Sequence, residues 1–60
     1  FLQKNNQMQK YRFYGKADST QESIKTYTAS SLIEAVEYFA TLKDLSVEKF
    51  LKVYEVEELD

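Results

Sequence analysis

The sequence predicts a small α+β domain of ββαβ order: a three-stranded antiparallel sheet with one helix packed on one face. Three observations carry this expectation. Gln9–Ala17, Ser23–Ala29 and Lys52–Leu59 alternate with period two, as half-buried strands do. Leu32–Asp44 instead repeats its apolar residues at helical spacing. The first and last strands carry charges of opposite sign, which predicts that they are neighbours and sets the strand order 2-1-3.

In the first strand, Tyr11, Phe13, Gly15 and Ala17 share one face, and Lys10, Arg12, Tyr14 and Lys16 share the other. Aromatic residues suit a pleated surface. Asp18–Glu22, DSTQE, is a polar cluster and reads as a turn, so the first two strands form a hairpin. In KTYTASSLIEAVEYFA the alternation stops at Ala29. Ser31 is followed three residues later by Glu34, the spacing of a capping box, which places the helix start at Leu32. Ser46 is a second N-cap candidate, and it predicts a short helical turn over Val47–Leu51. The last strand follows, with Glu55 and Glu57 on the face opposite Tyr54 and Val56. An inward Leu51 and Val53 is the alternative phase of that strand, since a one-residue slip inverts its faces.

The helix raises the question of assembly. At 100° per residue its polar residues occupy an arc of roughly 80°, and its apolar residues span roughly 220°. One sheet needs a stripe of a little over 100°. The surplus predicts a symmetric homodimer whose interface is one edge of the arc, Tyr38 and Leu42 on one side or Ile33 and Ala40 on the other, the Tyr38–Leu42 edge being favoured because Tyr suits a partly wet interface. An exposed edge of strand two or three is the alternative meeting line. Size points the same way. A chain of 60 residues buries only about 60% of its unfolded surface, so its core is marginal.

Composition narrows the chemistry. Cys and His are both absent, which removes disulfides, Ser-His and Cys-His nucleophiles and nearly every zinc, haem or iron–sulfur arrangement. No cofactor or metal is expected. Asp18 with Glu22, and Glu55, Glu57, Glu58 and Asp60, are the carboxylate groupings. They lie in a turn and at the chain end, where solvated surface is the better reading than catalysis. The protein is therefore expected not to be an enzyme. No run approaches the ~20 apolar residues of a membrane span, and a cytoplasmic protein with no membrane partner is expected. Met8 is the only methionine, so Phe1–Gln7 reads as a leader or disordered extension ahead of a single domain over 8–60.

Lys10, Arg12 and Tyr14, with Lys25 and Tyr27 from strand two, interleave basic and aromatic residues and form the expected partner-binding surface. Such a face suits protein docking, because Tyr and Arg are enriched at hot spots. It also suits stacking of single-stranded nucleic acid, the alternative partner. An ordinary solvent face is the plain reading of the same residues. In kind, the short, acidic-to-neutral, aromatic-rich chain without catalytic groups resembles the small phage-encoded anti-defence proteins, the anti-Hachiman type among them; the resemblance is one of size and character, and the EAVEYFATLKDLS helix end suits many folds. That resemblance implies a non-enzymatic inhibitor, often homodimeric, that binds and blocks a host defence complex in the host cytoplasm. It carries no functional residue across.

Overall fold

The structure, a computed structural model, describes residues 8–59. The expected extension over 1–7 lies outside the described residues. Strands β1 (Gln9–Gly15) and β2 (Lys25–Ala29) are followed by helices α1 (Leu32–Leu42) and α2 (Val47–Val53) and by strand β3 (Tyr54–Leu59). The sheet is antiparallel, with the order β2-β1-β3 that the charges predict. Arg12 stands opposite Glu57 in the β1–β3 register, and its guanidinium lies 2.7 Å from the Glu57 carboxylate.

β1 ends at Gly15 rather than Ala17, β2 begins at Lys25 rather than Ser23, and α1 ends at Leu42 rather than Asp44. Two further differences, at α2 and the last strand, have one cause. Lys52 and Val53 belong to α2, not to the last strand, and α2 is a seven-residue helix rather than one turn. Over so short a stretch, period two and period 3.6 share several positions. The Ser46 hydroxyl decides locally by accepting from the Lys49 amide at 3.2 Å. The domain is thus ββααβ, still a mixed α+β sheet with its helices.

Local chemistry fixes each connection. Asp18 builds the β1–β2 turn: one carboxylate oxygen accepts from the Thr20 amide (3.0 Å) and hydroxyl (2.7 Å), and the other accepts from the Glu22 amide. These bonds hold the Asp18 carboxyl below its ordinary pKa, the Thr20 hydroxyl being the largest cause. At α1, Ser31 accepts from the Glu34 amide at 3.3 Å, while Glu34 reaches back to the amide (2.8 Å) and hydroxyl (2.7 Å) of Ser30. The return bond lands one residue earlier than in the standard box and ties α1 to the end of β2. It lowers the Glu34 pKa, chiefly through the Ser30 hydroxyl. At the other end, Asp44 adopts φ 60°, its amide donates to Thr41 O, and the Leu45 amide donates to Ala40 O. That is the paired-bond helix stop usually given to glycine, here built with aspartate.

Tyr11 and Phe13 of β1, Ala29 of β2, Ala35, Val36, Phe39 and Ala40 of α1 and Phe50 of α2 form the buried core. Phe13 is its centre, with ring centroids 4.6 Å from Phe39 and 5.2 Å from both Phe50 and Tyr54. Each of the three buried phenylalanines contributes about 1.5–3 kcal/mol by burial alone. Tyr54 and Val56 face this core and Glu55 and Glu57 face away, so the first of the two phases expected for the last strand is the one formed.

Candidate protein-docking site

The outer sheet face does not assemble the surface expected from sequence. Residues directly opposite across a strand pair share a face, and Tyr27 stands opposite Tyr11 while Lys25 stands opposite Phe13. Both therefore lie on the helix side, and Tyr27 stacks on Tyr38 of α1 with centroids 3.7 Å apart and planes 7° from parallel. Lys10, Arg12 and Tyr14 remain on the outer face without them. Arg12 is also engaged: it donates to Glu57, to Gln21 O at 2.6 Å and to Ser23 at 3.1 Å, and it lies over the Tyr14 ring. A side chain so occupied braces strand to turn and has little left for a ligand.

The two candidate dimer edges have different surroundings. Ala40 is buried in the core, where Phe50 of α2 joins the same cluster and Leu45 packs against it. The second helix thus covers part of the arc that the sheet leaves open, a contribution the sequence reading assigned to another molecule. Tyr38 is half-buried against Tyr27. Leu42, one turn further along the same side, is 48% exposed on the β2 flank, and Ile33 is 56% exposed on the opposite flank.

The Ile33 flank opens into an apolar cleft. The first turn of α1 supplies Leu32 and Ile33, α2 supplies Leu51, and β3 supplies Tyr54 and Val56 to a cleft of 380 Å³ with Val36 at its floor. Lys16 and Glu55 lie at its margin. Leu32 points toward the sheet by helical phase yet is 52% exposed, because the space beneath it is open. The sequence reading gave neither Leu32 nor Leu51 a binding role. The signal was present, since both are apolar residues flanking a capped helix start or end, but their meeting depends on where α2 ends.

Beside the cleft runs a strand edge that is unpaired among the described residues. Lys16 N donates to Val53 O at 2.9 Å, continuing the β1–β3 register. Antiparallel strands exchange bonds at every second pair, so Glu55, Glu57 and Leu59 turn their backbone polar groups toward β1. Tyr54, Val56 and Glu58 turn theirs outward. By the same alternation the outward groups of β2 are those of Thr26 and Thr28. Among the described residues no three or more Asp, Glu, His or Cys converge as metal ligands, and no helix is long and apolar enough to cross a membrane. The chain matches no protein-family model, and neither curated proteins nor solved structures give a significant match.

Proposed function

We propose that the protein is a non-enzymatic binding protein that works by docking on another protein, as a small phage inhibitor that blocks a bacterial defence complex. The observation that carries this reading is the apolar cleft lying open along an unpaired strand. Leu32, Ile33 and Leu51 are all exposed around it, in a domain small enough that such grease is costly to leave bare. The phage assignment rests on the resemblance in size and character described above.

The reading includes a homodimer, formed at the β2 edge and the Tyr38–Leu42 flank, which leaves the cleft free. Capture from nuclease-treated host lysate tests the docking claim. The wild-type protein should retain one protein complex and inhibit it, and Ile33→Glu with Leu51→Glu should lose both effects. Equal capture by the two forms, or capture abolished by nuclease, overturns it.

A further inference from the structure

We propose that the β3 edge accepts an extended basic segment of the partner as a fourth strand, its alternate apolar side chains entering the neighbouring cleft. The inference rests on the protein-docking reading and adds the chemistry of what is docked.

Three observations converge on this occupant. The outward amide and carbonyl groups of Tyr54, Val56 and Glu58 form a template for backbone pairing. Side chains of an added strand alternate between faces. Those on the core side meet Ile33, Leu51 and Val56 in the 380 Å³ cleft, a space scaled to a few side chains rather than to a folded surface. Those on the other side meet Glu55 and Glu57. Among the described residues Glu55 has no cation within ion-pair distance, and Glu57 has only Arg12. Glu58, exposed on the core side, adds a third carboxylate to the same strand.

The carboxylates also exclude a second copy. Two β3 strands paired antiparallel about Val56 set Glu55 of each against Glu57 of the other, and like charges directly opposite are destabilising. A strand with lysine or arginine at alternate positions inverts that term.

The probe is a synthetic peptide of about six residues, the length of a typical strand, alternating lysine and valine. Its partners are a block-sequence peptide of the same composition and an alternating glutamate–valine peptide. The alternating basic peptide should bind at least about tenfold more tightly than either control, a difference of about 1.4 kcal/mol. Hydrogen exchange at the Val56 and Glu58 amides should slow on binding, a change that diffuse charge attraction does not produce.

Ile33→Glu, a surface change, should weaken binding at least about tenfold. Val56→Pro removes an outward donor without touching a β1 bond and should do the same. Equal binding of the block peptide, protection at Thr26 and Thr28 instead, or no binding at millimolar peptide overturns the proposal. So does a fall in mass of the free protein on Val56→Pro, because a second copy then holds the edge. Lysate capture that needs Ile33 while the peptide does not bind rejects the basic strand alone. Loss of the docking reading itself shows as capture indifferent to Ile33.

Discussion

The two edges of this sheet are built from opposite materials. β2 presents Thr26 and Thr28, carries one charge at Lys25, and is anchored through the Tyr27–Tyr38 stack. β3 presents Glu55, Glu57 and Glu58 and borders an open apolar cleft. Pairing β2 with a second β2 about Tyr27 sets each Thr26 against Thr28 of the other copy, with no charge conflict, and brings the two tyrosine stacks together. Pairing β3 with itself sets carboxylate against carboxylate. One edge is self-compatible and the other is self-avoiding. Side-chain charge, not backbone geometry, therefore decides which edge can serve assembly and which can serve recognition of something different.

The largest expected effect breaks the β2 side alone. Thr28→Pro removes an outward amide that β1 does not use, so the fold should survive and the dimer should not. Light scattering at micromolar concentration should give twice the 7.1 kDa chain mass for the wild type and a mass near one chain for the variant. A wild-type mass near one chain rejects the dimer outright.

The two flanks of α1 should differ in stability as well. Tyr38→Ala removes a stacked, half-buried ring and should cost about 2 kcal/mol in denaturant unfolding. Ile33→Ala, at the open cleft, should stay within about 0.5 kcal/mol. Equal losses would mean that the cleft side is as well packed as the β2 side.

Smaller effects sharpen the comparison at the ends of α1. Ser31→Ala should cost about 1 kcal/mol, lowering the melting temperature by several degrees; an unchanged melt would put the cap elsewhere. Asp44→Gly should raise stability by about 0.5–1 kcal/mol, because it relieves a positive φ and removes an anion from the helix C-terminus.

Acid is the gentlest probe of the β2–α1 junction. The Glu34 pKa is lower folded than unfolded, so its contribution is complete above the ordinary glutamate value of about 4.3 and is lost as pH falls through the folded value. Melting temperature followed from about pH 6 to about pH 3 should fall less steeply in Glu34→Gln than in the wild type.

The strands, their order and the α1 start were legible because each rests on neighbouring residues or on charge: alternation, Arg12 with Glu57, Ser31 with Glu34. Strand phase was less legible. Ser23–Ala29 alternates equally well with Ile24 inward or with Tyr27 inward, and the choice is made by Tyr11 across the sheet and Tyr38 on the helix, both distant in sequence. The result leaves Ile24 52% exposed and Ala29 fully buried, against what size and hydrophobicity suggest locally. The cleft was least legible, since it requires α2 to end at Val53 and the chain to turn there into β3. The expected basic and aromatic surface failed for the same reason as the phase of β2: Lys25 and Tyr27 were read onto the wrong side of the strand.

The Tyr27–Tyr38 stack also gives the molecule an optical signature. The chain contains no tryptophan, so its near-ultraviolet spectrum belongs to its five tyrosines and four phenylalanines. Two phenol rings held parallel at 3.7 Å couple their transitions, and that coupling changes if either ring tilts or slides. The pair lies at the edge where two copies are proposed to meet. Near-ultraviolet circular dichroism, recorded across a dilution series, therefore reads the state of that edge without a label, through chromophores the chain already carries.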